Sequence, residues 1–218
     1  MTLYYGCDSA TASWSSGTNF YVGRLGRGTS ADLEFFNAAA ATAVGPSQTY
    51  AYWFILGPAR DPNCDWTTNT AAAWGTAQAV AFNQAWHANV QVGSKTLFGD
   101  VESGQGGWAT PDRSNYIDLN YAVYKSFVTQ LQSLGYKVGV YSSPNEWQTI
   151  MGSTTATAAP ATVAWLASWL VDSTSPPPSA PVSFSPPSPG KFGGIDPTIW
   201  QYYGGDSADL NVATSLPI

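Results

Sequence analysis

Residues 96–143 read TLFGDVESGQGGWATPDRSNYIDLNYAVYKSFVTQLQSLGYKVGVYSS, and two patterns alternate within them. The short, largely apolar runs Thr96–Glu102 and Lys137–Ser143 predict β-strands. Between them, Tyr116–Leu134 carries apolar residues at steps of three and four, which predicts a helix that ends at Gly135. A strand, a helix and a second strand in this order are typical of a parallel sheet with helical crossovers.

The same alternation continues on both sides of this stretch. Further strands are predicted at Leu3–Cys7, Phe20–Leu25, Thr49–Leu56, Val163–Leu170, Ile199–Tyr203 and Asp209–Val212. Further helices are predicted at Ser30–Val44, with Thr29 and Asp32 as a capping signal, at Thr70–Val90 and at Pro144–Met151. The segment 173–190 is rich in Pro and Ser and predicts an exposed loop in place of a late helix.

These elements predict one α/β domain over residues 1–218. We expect an irregular TIM-like (β/α) barrel with about eight strands and four helices, with helices missing from the C-terminal third. A doubly wound open sheet is the alternative, but no Gly-rich phosphate-binding loop follows an early strand.

The composition excludes several classes of protein. The net charge is −6, and eight Lys and Arg residues supply no basic face for nucleic acid. The chain has no run of about 18 apolar residues for a membrane span. Charged residues make up 10% and aromatic residues 14%, which suits an extracellular, carbohydrate-handling protein. No signal-peptide pattern is present, so we expect a mature or trimmed form of a secreted or cell-wall-associated protein.

Cysteine and histidine are scarce. Cys7 and Cys64 permit one disulfide, or Cys7 is a buried free thiol, because alternation along its strand turns it away from its neighbour Asp8. His87 is the sole histidine and lies in an Ala-rich helical stretch. We therefore expect neither a zinc site nor a His-dependent triad, and no metal or cofactor.

Two acidic residues stand at the end of the strand Thr96–Glu102. Asp100 and Glu102 are two residues apart, so their side chains point to the same face. The carboxyl ends of barrel strands carry active sites, and one of two neighbouring acids keeps its proton to a higher pH. A protonated acid beside an ionised one is what glycosidic bond cleavage requires. The alternatives are an exposed acidic strand end or a helix N-cap.

Further candidates lie at the ends of the first and last strands. Asp8 and Asp209 would meet near the central pair because these strands are neighbours in a closed barrel, with Asp206 a weaker candidate for the same place. An Asp that caps a turn is the alternative for Asp8. Aromatic strand residues could stack on sugar rings, although core packing is the alternative for each one. The candidates for substrate binding are Tyr141, Trp165, Trp200 and Tyr202.

Six short motifs occur in order along the chain. They are Tyr5-Gly6-Cys7-Asp8, Asp100-Val101-Glu102, Gly139-Val140-Tyr141-Ser142-Ser143, Trp165-Leu166-Ala167-Ser168-Trp169, Trp200-Gln201-Tyr202 and Asp209-Leu210-Asn211. Together they resemble glycoside hydrolase family 25, the lysozyme-like muramidases, and still more the related glycoside-hydrolase-like domains of bacterial proteins. The residues that follow Asp8, Ser9-Ala10-Thr11-Ala12-Ser13-Trp14, are closer to these relatives than to the muramidases themselves.

The resemblance implies a barrel without late helices and a role for each acid. Glu102 would be the general acid, Asp100 would steady the substrate or the developing charge, and Asp8 and Asp209 would support them. Tyr141 would line the sugar site. We expect a monomeric glycoside hydrolase that cleaves β-1,4 bonds of peptidoglycan. The alternatives are a non-catalytic wall- or glycan-binding module and a chitinase-like enzyme, although chitinases usually carry a longer acidic strand motif.

Overall fold

The computed structural model describes residues 2–8, 18–90, 93–205 and 208–217. Its strands are β1 (Tyr4–Cys7), β2 (Phe20–Arg27), β3 (Ser30–Ala31), β4 (Thr49–Phe54), β5 (Thr96–Asp100), β6 (Lys137–Ser142), β7 (Val163–Ala167), β8 (Pro197–Gly205) and β9 (Ala208–Ala213). Its α-helices are α1 (Ala38–Val44), α2 (Thr68–Asn89), α3 (Tyr116–Ser133) and α4 (Pro144–Met151).

Eight of these strands close into a barrel. Strands β2, β4, β5, β6, β7 and β8 pair in this order and run parallel. Strand β9 lies antiparallel between β8 and β1, and the parallel pairing of β1 with β2 closes the ring. The short strand β3 pairs antiparallel with the C-terminal end of β2. The predicted irregular barrel is therefore confirmed, and the open doubly wound sheet is excluded by its closure.

Alternation along the strands sorts the side chains into a lumen and an outer layer. Aromatic residues fill the lumen, among them Phe98 and Trp165, whose ring centroids are 5.5 Å apart. Gly139 on β6 leaves room for this packing, because a Cβ atom there would lie 2.4 Å from the Phe98 ring. The outer faces of the strands are covered chiefly by α2 and α3, which pack closely where Gly75 meets the Val123 carbonyl.

The C-terminal third is built differently. After Met151, the described residues contain no α-helix, as predicted. The Pro- and Ser-rich segment 173–190 takes the place of a helix on the outer face. The Tyr5 hydroxyl donates to the Pro181 carbonyl at 2.9 Å, and Phe184 packs edge-on against Trp200. No helix of the described residues is long and apolar enough to cross a membrane.

The predicted helix at Ser30–Val44 is wrong over its first half. The chain instead forms β3 and a 3-10 turn at Leu33–Phe35 before α1 begins. Asn37 caps α1, where its side chain accepts from the Ala40 amide at 3.0 Å. Asp32 precedes the 3-10 turn but makes no side-chain capping bond, because its carboxylate pairs with Arg24 of β2 at 3.0 Å. A tertiary ion pair thus replaces the expected local capping contact.

Both cysteines are free thiols, so the proposed disulfide is wrong. Asp8 faces the lumen, and alternation along the strand therefore turns Cys7 outward. There Cys7 packs against Tyr21 of β2 and Ala40 of α1. Burial raises the pKa of the Cys7 thiol to about 12. Cys64 lies in the loop between β4 and α2.

Candidate active site

The four predicted acids line one cavity of about 240 Å³ at the carboxyl ends of the parallel strands. Asp8 follows β1, Asp100 ends β5, and Glu102 lies two residues beyond it. Asp209 is near the start of β9, and it reaches the same end because β9 runs antiparallel. The Asp8 amide donates to the Asp209 carbonyl at 3.3 Å. Asp206 lies outside the described residues.

Asp8 is buried and held by two amide side chains. Gln201 Nε2 donates to one carboxylate oxygen at 2.9 Å, and Asn211 Nδ2 donates to the other at 2.6 Å. Burial first, and then the nearby Asp209, raise the pKa of Asp8 above its ordinary value, while the two amides oppose this shift. Asp8 is thus fixed in place on both oxygens.

The same two amides orient the aromatic wall of the cavity. Gln201 Oε1 accepts from the Tyr141 hydroxyl at 2.7 Å and from Trp169 Nε1 at 2.9 Å. Asn211 Oδ1 accepts from Trp165 Nε1 at 2.8 Å. Gln201 and Asn211 were not predicted as site residues, although they stand inside two of the quoted motifs. Alternation supplied the signal, because Asn211 is two residues from Asp209 and shares its face.

Asp100 is buried, and its Oδ1 has no hydrogen-bond partner among the described residues. Burial and the neighbouring Glu102 raise the pKa of Asp100, and Arg24 acts in the opposite direction. Asp100 lines the acidic cavity, and its Oδ1 is a buried acceptor whose hydrogen-bonding capacity the described residues leave unused.

Glu102 lies at the boundary between two spaces. It lines the acidic cavity and also an adjoining groove of about 440 Å³, which is bordered by Glu146, Trp169 and Pro189. Burial, then Glu146, then Asp209 raise the pKa of Glu102 to about 7. Burial raises the pKa of Asp209 to about 6. Glu102 is therefore a carboxylic acid that keeps its proton up to neutral pH.

The structure divides the predicted aromatic residues into two groups. Tyr141 and Trp165 line the acidic cavity, with ring centroids 4.5 Å apart. Trp200 and Tyr202 do not line it, because Gln201 between them points into the lumen and turns both neighbours outward. Trp200 Nε1 donates to the Ser168 carbonyl on the outer side at 2.7 Å.

Two further aromatic residues complete the cavity wall, and the sequence analysis did not select them. Tyr52 on β4 packs edge-on against Trp165 at 5.8 Å. Trp169 follows β7, is 47% exposed and borders both the cavity and the groove. Its indole rests over Gly204, where a Cβ atom would lie 2.5 Å from the ring. Trp169 thus presents an exposed aromatic surface beside Glu102.

Solved structures with the same fold come from cell-wall-lytic proteins. The chain is similar to the CTP1L endolysin (TM-score 0.51, 12% identity, covering 99% of this chain and 67% of the endolysin). It is also similar to the autolysin LytC from Streptococcus pneumoniae, solved with a synthetic peptidoglycan ligand (TM-score 0.56, 14% identity, 96% and 46%). The pneumococcal cell-wall endolysin from phage Cp-1 gives a TM-score of 0.56 at 17% identity (97% and 54%).

The chain spans about half the length of LytC and of the phage Cp-1 endolysin, and at these identities the likeness concerns the fold. No curated protein matches the chain. The family described as lysozyme-like protein 1 matches residues 67–202, which is more than half of the chain and includes Asp100, Glu102 and Tyr141. In agreement with the predicted resemblance to the lysozyme-like superfamily, the chain belongs to the lysozyme-like protein 1 family.

Proposed function

We propose that this protein is a lysozyme-type glycoside hydrolase that cleaves β-1,4 bonds of bacterial peptidoglycan. The observation that carries the proposal is the convergence of four carboxyl groups in one aromatic-walled cavity. Sugar rings present apolar faces to aromatic planes and hydroxyl groups to polar side chains, and the cavity offers both kinds of surface. Membership of a lysozyme-like family supports the same reaction class.

Glu102 is the proton donor in this proposal. Its position between the cavity and the groove suits a glycosidic oxygen that joins a sugar in the cavity to one in the groove. Because its pKa is about 7, Glu102 is protonated at acidic and neutral pH and can transfer that proton to the leaving oxygen. As the C1–O bond breaks, water adds to the sugar carbon and returns a proton to Glu102.

Asp100 is proposed to contact the substrate and to stabilise the positive charge that develops on the sugar. Asp100 lines the cavity, and its carboxyl group can accept a hydrogen bond from an N–H or O–H group of the sugar, as an N-acetyl group would offer. Oriented in this way, the N-acetyl oxygen bonds to C1 while the glycosidic oxygen departs, and the water that then adds to C1 breaks this bond and restores the N-acetyl group. Asp8 and Asp209 are supporting residues, and the two amides that bind Asp8 also hold the aromatic wall.

The test compares the wild type with Glu102→Gln on purified peptidoglycan, with release of reducing ends as the readout. Glu102→Gln keeps the shape of the side chain but removes the transferable proton, so we expect a rate loss of about 10²–10⁴-fold with retained glycan binding. Glu34→Gln, at an exposed site away from the cavity, is the matched control. Chitin oligosaccharides, assayed in parallel, distinguish a muramidase from a chitinase-like enzyme.

A wild type that releases no reducing ends between about pH 3 and 8, the range over which such a pair titrates, would refute the hydrolase. Glycan binding in the same sample would then favour a non-catalytic wall-binding module.

A further inference from the structure

The backbone around Glu102 is not held by the barrel sheet. Strand β5 ends at Asp100, and Val101 makes the last contact with β6, where its amide donates to the Tyr141 carbonyl at 3.0 Å. Three side-chain contacts hold the next peptide units. The Ser142 hydroxyl donates to the Val101 carbonyl at 2.7 Å. Trp108 Nε1 donates to the Glu102 carbonyl at 2.8 Å, and the Ser103 amide donates to the carboxylate of Glu146. The position of Glu102 therefore depends on these three side chains, of which Glu146 is the acidic one.

Glu146 comes from a different element, the first turn of α4. Ser143 is the N-cap of this helix, and its hydroxyl accepts from the Glu146 amide at 3.1 Å. The pattern Ser143-Pro144-Asn145-Glu146 matches a capping box, in which the acidic side chain normally returns to the N-cap amide. The Glu146 carboxylate is instead bonded to Ser103 on the loop that follows β5. Its side chain thus joins α4 to the segment that carries Glu102.

Among the residues that the structure describes, the groups that face Glu102 are acidic or neutral. They are Asp8 from β1, Asp100 from β5, Tyr141 from β6, Asp209 from β9 and Glu146 from α4. Arg24 lowers the pKa of Asp100, but its own ion pair is with Asp32. The other ion pair within the described ranges joins Lys191 to Asp196. After burial, the charge of Glu146 is the largest influence that raises the pKa of Glu102.

We propose that Glu146 is a positioning residue for Glu102: its carboxylate binds the Ser103 amide and fixes the segment that carries Glu102, and its negative charge lies in the same groove as the Glu102 carboxyl. The proposal rests on the proposed function in so far as Glu102 is the proton donor. Glu146 itself transfers no proton, and it acts through the Ser103 amide and through its charge.

Two variants separate the two parts of this role. Glu146→Gln retains an oxygen that can accept from the Ser103 amide but removes the charge. Glu146→Ala removes both the acceptor and the charge. Glu34→Gln makes the same chemical change at an exposed site and is the matched control. Thermal unfolding of each variant establishes that it is folded before it is compared.

The first readout does not depend on activity. The sequence contains three glutamates, Glu34, Glu102 and Glu146. Protein labelled with ¹³C at the glutamate side-chain carboxyl therefore gives three NMR signals, and each is assigned by its loss in the corresponding Glu→Gln variant. We expect the titration midpoint of Glu102 to fall by about one pH unit in Glu146→Gln, because a like charge has been removed, and to stay unchanged in Glu34→Gln. An unchanged Glu102 midpoint in Glu146→Gln would overturn the electrostatic part.

The second readout is the pH–rate profile on peptidoglycan. The descending limb should move to lower pH in Glu146→Gln by the same interval as the midpoint. Glu146→Ala should also lower the rate at the acidic plateau by about 10–100-fold relative to Glu146→Gln, because Glu102 is displaced. Equal plateau rates in these two variants would overturn the positioning part. A wild type without activity whose Glu102 midpoint still depends on Glu146 would refute the proposed function and support the electrostatic coupling.

Discussion

Replacing Glu102 by Gln should stabilise the protein, and the gain should depend on pH. The pKa of Glu102 rises from an ordinary value of 4.5 to about 7 in the folded state, chiefly because of burial and then because of Glu146. A carboxyl with a raised folded pKa binds its proton more tightly in the folded than in the unfolded chain. Its contribution to stability is therefore present below about pH 4.5 and is lost as the pH rises through about 7.

The size of the effect follows from the two pKa values. Each pH unit of difference corresponds to about 1.4 kcal/mol, so the shift from 4.5 to about 7 makes the ionised Glu102 cost about 3 kcal/mol of unfolding free energy at pH 8. A neutral Gln does not ionise and avoids this cost. We expect Glu102→Gln to gain about 3 kcal/mol at pH 8, or about 6–12 °C in Tm, and almost nothing at pH 4.

The assay is urea unfolding of the wild type and Glu102→Gln, followed by tryptophan fluorescence at pH 4, 6 and 8. Glu34→Gln, an exposed Glu at which no such gain is expected, is measured beside them. A Glu102→Gln variant that is no more stable than the wild type at pH 8 would refute the reasoning. So would an equal gain at pH 4, because that gain would come from packing and not from charge.

Three further predictions concern the site and the thiols. Gln201→Met removes three hydrogen bonds, two of them buried, without changing the side-chain volume much, and urea unfolding should show a loss of about 2–4 kcal/mol in unfolding free energy. A loss no larger than that of a surface variant would contradict the network. Gly204→Ala places a Cβ atom 2.5 Å from the Trp169 ring, so the ring must move. Titration calorimetry with peptidoglycan fragments should then show binding weakened about three- to tenfold. Unchanged binding would mean that Trp169 is not part of the sugar site. Without reductant, a thiol reagent should modify Cys64 in the folded protein and Cys7 only after unfolding. Fewer than two reactive thiols in the unfolded protein would contradict the assignment of both cysteines as free thiols.

Local patterns in the chain were sufficient for much of the fold and for the acids. A short helix was predicted near Pro144–Met151, where the structure has α4, and its start agrees with local signals, since Ser143 is the N-cap and Pro144 the first helical residue. The period of two along a strand was sufficient to predict that Asp100 and Glu102 share a face. These signals depend on residues that are close together in the sequence.

Other features depended on which distant segments meet. Trp200 and Tyr202 were selected as sugar-binding residues, but the placement of Gln201 in the lumen turned both outward. Asp32 resembled a helix cap until Arg24 of β2 was brought beside it. In both cases a tertiary contact outweighed a local preference.

The sequence by itself determined where most of the strands and helices lie, the absence of a basic face, and the positions of the four acids at strand ends. The tertiary structure decided what those acids contact. Asn211 binds Asp8 across 203 residues of sequence, and Glu146 binds the amide of Ser103 across 43. Capping and periodicity are set by neighbouring residues. The contact of Asn211 with Asp8 instead requires that β1 pair with β9, and the contact of Glu146 with Ser103 requires that β6, which α4 follows, pair with β5.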